Sequence, residues 1–148
     1  MRDELVENLY EKHSRLFKRK VPIECGDGWY PILDNLMGSM VAHMVSREKQ
    51  RDWAQRQADL GRPEIRIPEL IEPVLIDQIK EKFGTLRFYY LGGDDVIGGM
   101  VRMGESMSEV TCEECGNVGK RRSGSWIKTL CDQHHVKRGL GASDEFMA

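Results

Sequence analysis

Cys112-Glu113-Glu114-Cys115 and, fifteen residues later, Cys131-Asp132-Gln133-His134 decide how this chain is read. Two short pairs of soft ligands at that separation have the spacing of a four-ligand zinc site. Each pair leaves a two-residue gap, which lets one tight knuckle aim both of its ligands at a single ion. Gly116 follows the second cysteine, where a knuckle needs a positive φ that glycine adopts at little cost. The expected ligands are Cys112, Cys115, Cys131 and His134, with His135 as the alternative fourth. Four protein ligands leave no open coordination position, so the expected Zn²⁺ is structural.

Residues 112–138 are too few to bury a core of their own. Zinc contributes about 10–16 kcal/mol in such modules. Trp126, Ile127 and Leu130 would add about 1.5–3 kcal/mol each by burial. Metal rather than apolar packing is therefore expected to hold this end. A knuckle, then a hairpin ending in the strand Trp126–Leu130, then ligands at a helix start, is the order of a treble-clef finger. A plain zinc ribbon is the near alternative.

Working outward, the 148-residue chain has 40% hydrophobic and 31% charged residues, the balance of a globular domain. No apolar run approaches the roughly 18 residues of a membrane span. Cys25 stands apart from the three motif cysteines, a poor disulfide framework, so a cytoplasmic protein is expected. The net charge of −2 is unevenly spread, with +3 over residues 112–138 and −5 over 23–111. The basic finger residues Lys120, Arg121, Arg122 and Lys128 have two readings. They offset the charge of a three-thiolate site, or, with Trp126 as a stacking surface, they contact nucleic acid.

Residues 3–19 carry an apolar stripe at helical spacing, from Leu5 to Phe17, with acids at the start and bases at the end. Pro22 stops that helix, and Gly26-Asp27-Gly28 marks a turn. Pro31 opens a long helix to about Leu60, apolar from Ile32 to Val45 and polar from Arg47 onward. Three prolines over 62–73 predict an irregular connection. Leu75–Lys82 and Thr85–Leu91 read as a β-hairpin turning at Phe83-Gly84. Asp94 or Asp95 caps a further helix that leads into Cys112, and Gly104 allows that helix close packing.

Away from the zinc motif the polar candidates are sparse. Glu24 and Asp27 are read as a solvated glutamate and a turn aspartate. Cys25 is expected to be buried and inert. Trp29, Arg87 and Tyr89 are candidate walls of a ligand pocket between hairpin and helices. No nucleophile has an evident base partner, so an enzyme is not expected.

Three blocks together carry a resemblance. They are Ile23-Glu24-Cys25-Gly26-Asp27-Gly28-Trp29-Tyr30, Ile79 through Tyr90, and the Cys112–His134 finger with Trp126 and Thr129-Leu130-Cys131. They resemble a family of small zinc-finger proteins carried by bacteriophages and prophages, without an assigned function. The resemblance implies a phage accessory protein in a bacterial host cytoplasm, and it carries over no catalytic residue.

The expected fold is α+β, with helices packed on a β-hairpin and a C-terminal treble-clef-like or ribbon-like zinc finger. The division is a body over residues 1–111, the finger over 112–138 and a flexible tail over 139–148. The expected function is non-enzymatic binding of a host macromolecule, a host protein first, in counter-defence or regulation. The alternatives are a nucleic-acid binder using the basic finger and a protein that sequesters a small nucleotide. No membrane partner is expected, and a dimer is left open.

Overall fold

The computed structural model describes residues 1–62 and 64–144. Helix α1 spans Asp3–Lys12, with Asp3 and Glu4 in its first turn, where negative charge is favoured. It is shorter than the helix expected over residues 3–19. At His13 the backbone leaves the helical region (φ −119°, ψ 34°), and a 3₁₀ turn follows over Ser14–Leu16. The cause is tertiary. His13 is buried, and its Nε2 lies 2.6 Å from Asp34 Oδ1. Lys18, Arg19 and Lys20 therefore do not close a helix. Instead Arg19 reaches Asp77 at 3.4 Å and Lys20 reaches Glu7 at 2.6 Å.

Strand β1, Ile23–Glu24, was not foreseen. The chain then passes through a 3₁₀ turn, Asp27–Trp29, into helix α2, Tyr30–Asp59, with Pro31 in its first turn. Thirty residues make α2 about 45 Å long. Its first half buries Ile32, Leu33, Leu36, Met37, Met40 and Met44. Its second half buries only Ala54. The expected irregular connection follows, with no regular structure among the described residues of 62–73.

Strands β2, Leu75–Lys82, and β3, Thr85–Leu91, form the expected hairpin, and β1 adds to β2 in parallel, giving the sheet order β1-β2-β3. Phe83 (φ 53°) and Gly84 (φ 82°) both take positive φ, the two-residue turn whose twist matches the strands. Plain alternation would put Ile76 and Ile79 on opposite faces. A bulge between Ile76 and Gln78 leaves Asp77 unpaired and re-phases the strand, so both isoleucines are buried.

Helix α3, Asp95–Ser108, is capped by Asp94, whose Oδ1 accepts from Ile97 N–H at 3.0 Å. Asp94 Oδ2 also lies 2.9 Å from His43 Nε2, tying the cap to α2. At Gly104 a side chain would sit 3.1 Å from Leu36 Cδ2, so the glycine permits the close α2–α3 packing expected of it. Both helices cover the sheet. Trp29, Leu33, Met37, Met40, Ile79, Leu86 and Ile97 are fully buried between them. The C-terminal part holds an antiparallel pair, β4 (Lys120–Arg122) and β5 (Lys128–Leu130), and helix α4, Asp132–Asp144. The tail expected from residue 139 is thus helical to Asp144, and residues 145–148 lie outside the described part. The fold is mixed α+β, with four α-helices and two small sheets among the described residues. Among the described residues no helix is long and apolar enough to cross a membrane.

Burial opposes the charge on Asp34, but hydrogen bonds from Lys12 and His13 outweigh it and hold the carboxyl below its ordinary range. A depressed carboxylate contributes stability above the unfolded value near pH 4 and loses it as pH falls through the folded value. Asp34→Ala leaves buried His13 without a partner, at a cost of about 1–3 kcal/mol. Thermal melts at pH 7 should show a drop of about 3–10 °C. The gap from the parent should narrow below about pH 4.

Candidate metal centre

The knuckle is built by backbone hydrogen bonds. Cys112 N–H donates to Asn117 O at 2.7 Å, and Gly116 N–H donates to Cys112 O at 2.9 Å. Gly116 takes φ +79°, as the spacing predicts. The second pair stands at the start of α4. Cys131 precedes its first residue and His134 lies in its first turn, with His134 N–H 3.5 Å from Cys131 Sγ.

The side chains of Cys112, Cys115, Cys131 and His134 converge. One ligand atom from each lies within 4.8 Å of all the others. Zinc bonds of about 2.3 Å to sulfur and about 2.0–2.1 Å to nitrogen set tetrahedral edges of about 3.5–3.8 Å. The observed edges bracket that range: 3.9 Å between the Cys115 and Cys131 sulfurs, 3.7 Å from Cys112 Sγ to His134 Nδ1, and 3.2 Å from Cys131 Sγ to the same nitrogen. The group is therefore compatible with a metal ion such as zinc, and His134 rather than His135 belongs to it. Electrostatics agree. Burial disfavours the Cys112 thiolate, yet backbone N–H groups of Cys131, Cys115 and Glu114 outweigh it and lower its pKa. At Cys115 the Asn117 N–H favours the thiolate, but desolvation and the neighbouring sulfurs of Cys112 and Cys131 prevail and raise the pKa. Three sulfurs this close share negative charge comfortably only around a cation.

The residue that joins this cluster to the body is Glu113, inside the first two-residue gap. It is 3% exposed and bonded on all sides. Its N–H donates to Thr129 O at 3.0 Å, and its carbonyl accepts from Gly28 N–H at 2.7 Å. Its Oε1 accepts from Gly26 N–H at 3.0 Å, and its Oε2 accepts from Lys128 Nζ at 2.7 Å. Lys128 also lies 3.6 Å from Glu81 Oε2. Burial opposes the Lys128 charge, but Glu113 and Glu81 outweigh it and raise its pKa. Beside this group, Thr129 Oγ1 donates to Gly84 O at 2.6 Å, and the Trp29 indole N–H donates to Thr111 O at 2.9 Å. A side-chain carbon on Gly28 would fall 2.2 Å from Cys112 O, so only glycine fits there. Sequence reasoning missed Glu113, Gly28 and Glu81 as a set. The available signal was that a glycine turn, a hairpin turn and a knuckle stood in the three blocks of the resemblance.

The other sequence candidates separate. Lys128 is bound to two carboxylates. Arg122 donates to Leu130 O at 3.1 Å and to Asp132 Oδ1 at 2.5 Å. Lys120 and Arg121 are exposed on β4, and Trp126 is exposed as well. Trp29, Arg87 and Tyr89 do not form a pocket. Trp29 is fully buried, while Tyr89 stands on the outer face of the sheet with Lys80 Nζ 5.4 Å from its ring centre. Asp27 is engaged by Arg2, through its N–H at 2.8 Å and its Nε at 2.6 Å. Burial pushes the Cys25 thiol up to about 12. A groove of about 590 Å³ that sequence did not indicate runs between α2 and α3, reaching the knuckle at Thr111 and Gly116.

No family model, curated protein or solved structure matches the chain.

Three substitutions separate the junction from the surface. Lys128→Met leaves the Glu113 carboxylate buried without a counter-charge and should cost about 3–5 kcal/mol in urea unfolding. Arg121→Ala, on an exposed strand, should change stability by less than about 0.5 kcal/mol. Gly28→Ala should be destabilising by about 1–3 kcal/mol or more, because the atoms it meets are backbone and cannot step aside.

Proposed function

We propose that Cys112, Cys115, Cys131 and His134 hold a structural Zn²⁺ in a treble-clef-like module, and that the protein is a non-enzymatic binding protein. The order of knuckle, β4–β5 pair and α4 supports the treble-clef reading. The ion would neutralise three crowded thiolates and cross-link the knuckle to the start of α4. Its four protein ligands leave no position for a substrate.

The observation that carries the binding reading is the α2–α3 groove. Pro31, Ile32, Leu36, Met100, Met103 and Met107 give it apolar walls, and its lining includes no Asp, Glu, His, Lys or Cys. Met103 is 64% exposed and Met107 is 47% exposed. Methionines adapt their shape to apolar partners, and a groove without titratable groups suits recognition rather than proton transfer. The partner is a protein segment with an apolar face. On the phage resemblance it is a host protein, engaged in counter-defence or regulation.

Native mass spectrometry should find one zinc per chain. Stripping it with a strong chelator should lower the melting temperature and expose thiols to a thiol reagent. A metal-free chain with an unchanged melt would refute the structural role. Pull-down from host lysate should return a protein that Met103→Glu with Met107→Glu no longer captures. Equal capture by that variant would place recognition elsewhere.

A further inference from the structure

The polar half of α2 has a hollow of its own. Ala42, Val45, Ser46, Lys49, Gln50 and Trp53 recur at intervals of three and four, so they share one helical face. The connection after α2 returns along that face, and its Arg66 and Pro68 form the facing wall. The wall is tethered: Arg51 Nη1 donates to Pro68 O at 2.8 Å. Ala54, 3% exposed, packs at the floor. The hollow is open to solvent along one side, and its volume is about 790 Å³.

Its chemistry runs against its surroundings. Residues 23–111 carry a net −5, yet among the described residues the only charged groups lining this hollow are Lys49 and Arg66, with no carboxylate in the wall. Among the described residues neither cation forms an ion pair or a side-chain hydrogen bond. Lys49 stands one helical turn from Trp53, whose indole is 53% exposed. Two unpaired cations suit an anion, and phosphate above all for the planar fork of Arg66. A large half-exposed ring in a hollow that Val45 and Pro68 also line suits a flat aromatic partner. An inorganic anion would leave the Trp53 ring in water, and an apolar molecule would desolvate both cations without return. The volume falls in the range of about 300–1,000 Å³ that holds small molecules rather than polymers.

We propose that this cleft binds a nucleotide, its base stacked on Trp53 and its phosphates held by Lys49 and Arg66. The site is independent of the metal centre and of the α2–α3 groove. It can fail while the proposed function stands, and the reverse.

The test is calorimetric and fluorescence titration of the intact, zinc-loaded protein with AMP, ATP, GTP and UTP at low salt. Saturable binding of at least one nucleotide is expected, with a change in tryptophan emission and weakening as salt rises. Using that nucleotide, Trp53→Ala and Lys49→Gln with Arg66→Gln should each weaken binding at least tenfold, while Trp53→Phe retains most of it. All these positions lie on the surface, and unchanged melting curves would confirm folded variants. Adenosine and tripolyphosphate, each carrying half of the recognition chemistry, should bind at least tenfold more weakly than ATP. The proposal is overturned by no saturable binding up to millimolar nucleotide, by equal binding in the variants, or by tripolyphosphate binding as well as ATP.

Discussion

A buried carboxylate inside a cysteine knuckle is the constraint on which the rest of this molecule depends. Glu113 has a backbone position fixed by the cysteines on either side and a side chain that must find partners in the interior. It finds them in the Gly26 amide and the Lys128 ammonium. Burying such a charge alone would be prohibitive, and here it is offset by an opposite charge and a backbone donor at hydrogen-bond distance. The partners dictate their own surroundings. Gly28 must lack a side chain, Lys128 must sit on β5, and Glu81 must lie near the end of β2 close by. The turn before α2, the hairpin and the cysteine knuckle are thereby locked into one arrangement.

That arrangement explains the three blocks of sequence that stand out from the rest. Gly26-Asp27-Gly28, Glu81 through Gly84, and Cys112 through Gly116 with Lys128-Thr129 lie far apart along the chain and meet at one junction. Their unusual composition is a packing requirement: two glycines for close approach, a glycine turn to receive Thr129, and a lysine between two acids. None of these residues faces the α2–α3 groove with a reactive group. Residues that look functional because they are distinctive serve here to hold the Cys₃His segment against the body. The open surfaces are built from plainer material, the methionines of α3 and the polar face of α2.

Much of this was legible in the sequence because it rests on local periodicity and spacing. The apolar repeat from Ile32 to Val45 marked α2, alternation around Phe83-Gly84 marked the hairpin, an aspartate before an apolar run marked the α3 cap, and the paired two-residue gaps marked the metal cluster. What escaped depends on distant partners. The two-residue β1 has no periodicity to detect. The early end of α1 follows from His13 meeting Asp34. The bulge at Asp77 inverts an alternation that looks regular on paper. Glu113 was hidden because a spacer between two ligands is conventionally read as passive. The misplaced pocket has the same origin, since Trp29 and Tyr89 are close to turns in the chain but belong to the interior and the outer sheet face.

The way Glu113 is anchored also bears on modularity. Small metal-binding modules are commonly treated as cassettes that can be cut from one protein and spliced into another. The Cys₃His segment here carries its docking device between Cys112 and Cys115, so excision would turn a satisfied interior carboxylate and the Thr129 hydroxyl outward together. Recombination that exchanged the C-terminal segment alone would have to import the matching glycine turn and hairpin tip as well. The three blocks are therefore expected to be inherited as a unit, and the free ground for diversification lies in the outer half of α2 and the proline-rich connection beside it.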